Sequence, residues 1–158
     1  MAKKATPFSN ITVLDFSRYL PGGYATQVLA DLGAEVTKVE DTGLGDFMRH
    51  DYPTMDGGIS YYITALGRNK KSVSLNLKDS EVVDWFLKMA KEADIVVESF
   101  RPGVTAKLGI DYETVKAINP RIIYCSISGY GATDPRSKKA QHDLNMQATS
   151  GYLSVNYG

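Results

Sequence analysis

The period of hydrophobic and polar positions changes several times along the chain, and each change marks an element. Ile11-Thr12-Val13-Leu14-Asp15-Phe16 is apolar and β-branched enough for a buried strand, and Ser17-Arg18-Tyr19-Leu20-Pro21-Gly22-Gly23 behind it reads as a loop. Ala25, Val28, Leu29 and Leu32 then stand at i, i+3, i+4 and i+7, the stripe of an amphipathic helix, and Gly33 supplies its stop. Residues 34–40 return to strand character. An irregular stretch follows from Asp41 to Gly57, and a short helix is predicted over 60–66. After the basic turn Arg68-Asn69-Lys70-Lys71, residues 72–77 alternate polar and apolar as a half-buried strand does. Asp79 or Ser80 caps a helix whose stripe is Val83, Phe86, Leu87 and Ala90, and residues 94–98 form the next strand. The loop Ser99-Phe100-Arg101 leads to Pro102, placed for a first helical turn, with Val104 and Leu108 on one face before Gly109. Asp111 caps a helix carrying Tyr112, Val115 and Ile118, stopped by Asn119-Pro120. A strand over 121–127, a loop over 128–131 and a helix over 144–150 complete the pattern. Strands separated by helices imply parallel pairing through right-handed crossovers, so the expected fold is a doubly wound, mostly parallel α/β sheet.

Composition narrows this picture. The chain has 158 residues, 43% of them hydrophobic and 23% charged, which suits a single packed core. Eighteen basic residues balance eighteen acidic ones, which excludes a broadly basic nucleic-acid binder but not a local anion site. Cys125 is the sole cysteine, so no internal disulfide forms, and its strand position reads as a small core residue. The stretch Met1-Ala2-Lys3-Lys4-Ala5-Thr6-Pro7 lacks the apolar run of a secretory signal, and no segment approaches the ~18 apolar residues of a spanning helix. A cytoplasmic protein without membrane attachment is the expectation.

In an open parallel sheet, ligands bind at the carboxyl ends of the strands, which points to the loops after Phe16, Glu40, Glu98 and Ile127. Glu40 stands where an acid would take the ribose hydroxyls of a dinucleotide, but Gly22-Gly23 lacks the G-x-G-x-x-G spacing that admits pyrophosphate. Three basic clusters lie in loops and helix entries: Arg68, Lys70 and Lys71; Arg101 and Lys107; Arg136, Lys138 and Lys139. Each alone reads as a solvated loop; together they fit an anionic ligand with separated phosphates. His50 carries no usable pattern.

Longer strings of residues carry a family resemblance. Val13-Leu14-Asp15-Phe16-Ser17-Arg18, Pro21-Gly22-Gly23-Tyr24-Ala25-Thr26-Gln27 and Ala30-Asp31-Leu32-Gly33-Ala34-Glu35-Val36 open it. Gly45-Asp46-Phe47-Met48-Arg49, Asn69-Lys70-Lys71-Ser72-Val73, Leu75-Asn76-Leu77-Lys78 and Ala93-Asp94-Ile95-Val96-Val97-Glu98-Ser99-Phe100-Arg101-Pro102-Gly103 continue it. Asn119-Pro120-Arg121, Ser126-Ile127-Ser128-Gly129-Tyr130-Gly131 and His142-Asp143-Leu144-Asn145-Met146-Gln147-Ala148-Thr149-Ser150-Gly151 close it. In order and over nearly the whole chain, they resemble the class III CoA-transferase family, which includes formyl-CoA transferase, carnitine CoA-transferase and the α-methylacyl-CoA racemases.

The resemblance implies a Rossmann-like large domain, of which residues 1–158 are the amino-terminal part, the remainder and a small domain lying outside this chain. It implies CoA thioesters and small carboxylic acids as substrates, with no permanently bound cofactor, no metal and no nucleic acid or membrane partner. A homodimer is implied for the full protein. Leu75, Lys78, Ser99, Phe100, Arg101 and Lys107 align with CoA-contacting positions; Phe100 would cover the adenine while Lys78, Arg101 and Lys107 meet phosphates, against the plainer reading of Phe100 as a core aromatic. Leu20 stands where formyl-CoA transferases have glutamine, and Asp41 where a CoA-binding arginine often follows the glutamate. An acid at 41 would repel phosphate, so the adenine end is expected to be held differently or more weakly. The family's catalytic aspartate, which passes through an acyl anhydride and an aspartyl-CoA thioester, follows the segment 142–151 and lies outside this chain, so the chain alone is expected to be inactive. His142 and Asp143 are candidate active-site residues. In the racemases a matching histidine and the later aspartate act as two bases, which keeps a racemase as the second reading and a non-catalytic CoA-binding or interaction fragment as the third.

Overall fold

A computed structural model describes residues 6–155, so the charged stretch of residues 1–5 lies outside the described residues. Five strands, β1 (Thr12–Phe16), β2 (Glu35–Glu40), β3 (Lys70–Ser74), β4 (Ile95–Glu98) and β5 (Ile123–Ser126), form one sheet in the order β3-β2-β1-β4-β5. Every pairing is parallel, with Val13 opposite both Val36 and Ile95, and Leu14 opposite Thr37 and Val96. Among the described residues seven α-helices accompany the strands: α1 (Tyr19–Asp31), α2 (Tyr61–Leu66), α3 (Ser80–Glu92), α4 (Val104–Leu108), α5 (Tyr112–Ile118), α6 (Asp143–Thr149) and α7 (Tyr152–Val155). This is the expected doubly wound parallel architecture.

Alternate residues of a strand point to opposite faces, and that alternation divides the core in two. Leu14, Phe16 and Val96 pack with Phe86, Ala90, Ile110 and Val115 on the face covered by α3 and α5; Phe16 and Phe86 meet edge to face at 4.6 Å. Val13, Val36 and Val97 pack with Ala30 and Ala34 on the face covered by α1. The α3 stripe faces the core as its spacing predicts, and the Asp79 carboxylate caps the helix by accepting from the Glu81 N–H. At the far end of α3, the Asn119 amide donates to the Ala90 and Ala93 carbonyls at 3.0 and 2.7 Å, tying the α5–β5 turn to α3.

Helix α1 departs from its sequence pattern twice. It begins at Tyr19, so Pro21-Gly22-Gly23 is helical rather than a loop. Proline is tolerated in a first turn, where the N–H has no partner to lose, and a Cβ on Gly22 would stand 2.1 Å from the Ser17 Cβ, so only glycine fits. The buried face is Gly22, Gly23, Thr26, Gln27 and Ala30, whereas Val28 and Leu32 of the apolar stripe are about two-fifths exposed. The reason is chemical: Asp15 points from β1 toward α1, and the Thr26 hydroxyl donates to it at 2.5 Å.

Other boundaries moved. β3 begins at Lys70 and ends at Ser74, because β2 fixes the register by pairing Val36 with Lys70 and Glu40 with Ser74; the strand has ended by residues 75 and 76, and the chain turns at 77–78. Pro102 precedes α4, which starts after Gly103 at φ 87°. Cys125 is exposed, not a core residue; β5 is an edge strand, paired only with β4. Helix α7 had no signal in the sequence pattern. Among the described residues no helix is long and apolar enough to cross a membrane.

Candidate functional site

From β1 the chain builds β2 and β3 to one side, then returns to build β4 and β5 on the other, so the connections after β1 and β4 diverge and open a crevice at their carboxyl ends. A cleft of about 330 Å³ lies there. Phe16 ends β1 at its base, Arg18 follows, Glu40 ends β2 and Asp41 follows it, residues 75–78 follow β3, and Phe100, Val104 and Leu108 follow β4.

Each wall has a local cause. The Leu75 N–H donates to the Glu40 carbonyl at 2.8 Å, which extends the β2–β3 ladder by one bond and lays Leu75 and Leu77 against the core. Asn76 then turns the chain, its carbonyl accepting from the Asp79 N–H and its side-chain oxygen from the Lys78 N–H, which leaves Lys78 exposed at the mouth. The Phe100 N–H donates to the Glu98 carboxylate at 2.7 Å, and its half-buried ring rests on the core. Arg18 places its guanidinium 5.3 Å from the Phe47 ring centroid and 5.5 Å from that of Phe100, with Nη2 2.9 Å from Asp41. Asp41 is therefore not a bare acid: its charge is matched by Arg18, and its second oxygen accepts from the Gly43 N–H.

Of the six positions aligned with CoA contacts, Leu75, Lys78 and Phe100 line this cleft. The Ser99 hydroxyl instead accepts from the Arg18 N–H at 2.8 Å. Arg101 and Lys107 are exposed and outside the lining. His142 precedes α6, where the Asn145 side chain accepts from its N–H at 3.4 Å, and the Asp143 carboxylate accepts from Gln147; both are exposed and neither lines the cleft.

The cluster Arg68, Lys70 and Lys71 is not a free cationic surface. A second cleft of about 370 Å³ beside β2, β3 and α2 is lined by Lys38, Arg49, Arg68, Lys70 and Lys71, but each has a carboxylate partner, respectively Asp46, Glu40, Asp31, Asp15 and Glu35. Glu40 has no carboxylate oxygen left for a ribose. Burial works to raise its pKa, but hydrogen bonds from Arg49, Ser72 and the Asp46 N–H outweigh burial and hold it down at about 2.

Under the β1–α1 loop lies a buried charge network that the sequence reading missed. Lys70 Nζ donates to the Gly23 carbonyl and Thr26 Oγ1 at 2.9 and 2.7 Å and stands 3.3 Å from Asp15; burial pulls its pKa down, against the pull of Asp15. Lys38 Nζ donates to the Ser17 carbonyl at 2.8 Å and pairs with Asp46 at 2.7 Å. A signal was present: Asp15 and Lys38 are charged residues within runs that read as strand, and charges buried in a sheet require partners.

Comparison with known proteins places this geometry. The sequence model of CoA-transferase family III matches residues 8–158. Succinyl-CoA:glutarate CoA-transferase from Homo sapiens is 42% identical over 149 residues, covering 94% of this chain and 34% of that protein. Acetyl-CoA:oxalate CoA-transferase from Acetobacter aceti is 42% identical over 152 residues, covering 96% of this chain and 39% of that protein. Among solved structures, the crystal structure of Rv3272 from M. tuberculosis superposes with a TM-score of 0.89 at 35% identity, over 98% of this chain and 43% of that one. The chain thus spans between about a third and two-fifths of the length of these curated relatives. With the family model matched over nearly all its residues and the fold shared with a solved relative, the chain belongs to CoA-transferase family III.

Proposed function

We propose that this chain is the amino-terminal part of the large domain of a CoA-transferase and contributes the cleft that takes the nucleotide end of a CoA thioester. The observation that carries this reading is the mostly apolar crevice at the topological switch point, with an aromatic face at Phe100 and cations at its mouth. Phe100 and Leu75 cover the adenine, and Lys78 meets phosphate from the exposed side. Arg101 and Lys107, beyond the lining, contribute only a solvent-screened attraction. The relatives' names, which describe transfer of CoA between carboxylic acids, support the reaction class.

In that reaction an aspartate outside this chain attacks the thioester carbonyl and expels CoA thiolate, leaving an acyl anhydride. The thiolate then attacks the aspartyl carbonyl and releases the first acid as carboxylate, leaving an aspartyl-CoA thioester. An acceptor carboxylate reverses the sequence and takes the CoA. On the family resemblance the whole protein is a cytoplasmic homodimer, and this chain alone turns nothing over. The test is to incubate the full protein with an acyl-CoA and a free carboxylic acid. Thioester exchange is expected; deuterium entering the α-carbon from solvent without exchange would replace this reading with a racemase, and CoA binding with neither reaction would leave a binding module.

A further inference from the structure

We propose that Arg18 is the principal phosphate-binding cation of the cleft, and that Ser99 is a positioning residue that acts through Arg18 rather than a ligand contact. This rests on the CoA reading above. The backbone around Arg18 is fixed from four sides. The Asp15 carboxylate accepts from the Ser17 N–H at 2.9 Å, Lys38 donates to the Ser17 carbonyl at 2.8 Å, Ser99 Oγ accepts from the Arg18 N–H at 2.8 Å, and Asp46 accepts from the Tyr19 N–H at 3.4 Å. Tyr19 itself has φ 61°, the left-handed region, which a tyrosine adopts only where its surroundings impose it. A backbone held this tightly aims one side chain, and that side chain is Arg18, a third exposed and lining the cleft.

The guanidinium also has two aromatic neighbours. It stands over Phe47 and Phe100, and a single Nη2 contact joins it to Asp41. A guanidinium has five N–H donors in a rigid fork, so phosphate oxygens can take the remaining donors while Asp41 keeps its own. The charge is therefore presented in a fixed orientation before any ligand arrives, and little ordering is left for binding to accomplish. Lys78, the other lining cation beside Arg18, is exposed on a flexible stem and has no salt-bridge partner among the described residues; it attracts anions without orienting them. Ser99 follows β4 but turns its hydroxyl to the backbone of Arg18, donating to the Arg18 carbonyl at 3.3 Å as well as accepting from its N–H.

The test is calorimetric titration of the full protein with CoA over a salt series, with thermal melts confirming that each variant is folded. Arg18→Gln is expected to weaken CoA by about tenfold or more, as loss of a charge-assisted hydrogen bond implies, and to flatten the salt dependence. Arg18→Lys, which keeps the charge at a partly exposed site but loses the rigid fork of donors, recovers only part of the affinity. Ser99→Ala is expected to weaken CoA by about threefold in the native background and to have no further effect in Arg18→Gln, and Ser99→Thr restores binding. Arg18→Gln binding CoA within about twofold of the native protein would overturn the role of Arg18. A Ser99→Ala loss of equal size in both backgrounds would overturn the positioning role, since Ser99 would then touch the ligand itself. Native protein that binds no CoA at all would overturn the CoA reading and this inference with it, a result distinct from native binding that the variants leave unchanged.

Discussion

Glu40 shows how a single residue's environment becomes a property of the whole fold. Its carboxylate titrates near 2 in the folded chain, below the ordinary 4.5, because Arg49, Ser72 and the Asp46 N–H favour the charged form more than burial opposes it. A depressed folded pKa contributes stability that is fully present above the unfolded value and lost as pH falls through the folded one. Urea midpoints are therefore expected to drop between pH 5 and pH 2, and Glu40→Gln should flatten that drop while lowering the plateau above it. Lys38 and Asp46, 4% and 1% exposed at their side chains, make a more severe case. Lys38→Met leaves the Asp46 carboxylate buried and unpaired, at an expected cost of about 3–5 kcal/mol in equilibrium unfolding. Residues such as these were only half legible in the sequence: a charge inside a strand announces that it must be paired, but not with what. Lys38 meets Asp46 eight residues on, whereas Lys70 meets Asp15 from 55 residues away.

Among the elements, α3 was read correctly because one face does all its packing, and α1 was not because its buried face is made of small and polar residues. Hydrophobic period finds helices that bury leucines, and is blind to one that approaches a sheet through Gly22, Gly23 and Thr26 to satisfy a carboxylate. The strand β3 was misplaced for a related reason: Lys70 looks like a turn residue until the acceptors that receive its ammonium are in place. Two substitutions test these local fits. Gly22→Ala forces its Cβ against Ser17 and should lower both thermal stability and CoA affinity, since the Ser17–Arg18 backbone must shift to admit it. Asn119→Ala orphans the Ala90 and Ala93 carbonyls at the buried end of α3, at an expected cost of about 1–3 kcal/mol in chemical denaturation, with no direct effect on the cleft.

For the molecule as a whole, strand and helix alternation was enough to indicate a parallel doubly wound sheet, but nothing in the periodicity says on which side of β1 the fourth strand will lie. That choice creates the crevice, so the cleft could be anticipated as a class of place and not as a set of contacts. Phe100 and Lys78 were reached through family resemblance, while Arg18 went unnoticed because its partners Asp41, Phe47 and Ser99 are brought to it only by the assembled sheet. The topology also sets an order of protection from solvent. Amides of β1, paired on both sides, are expected to exchange slowest and those of edge strand β5 fastest, measurable by hydrogen–deuterium exchange.

The bond from the Arg18 N–H to Ser99 joins residues 81 apart in sequence. A folding chain cannot make it until β1 and β4 are side by side, which requires closing a loop that contains β2, β3 and α3. A chain with only its first strand–helix–strand unit formed has no cleft at this place, and the cleft and the central strand pairing come into being in one event. A ligand seated there selects the assembled sheet over every partly folded state, so its binding energy acts on global unfolding rather than on the mobility of one loop.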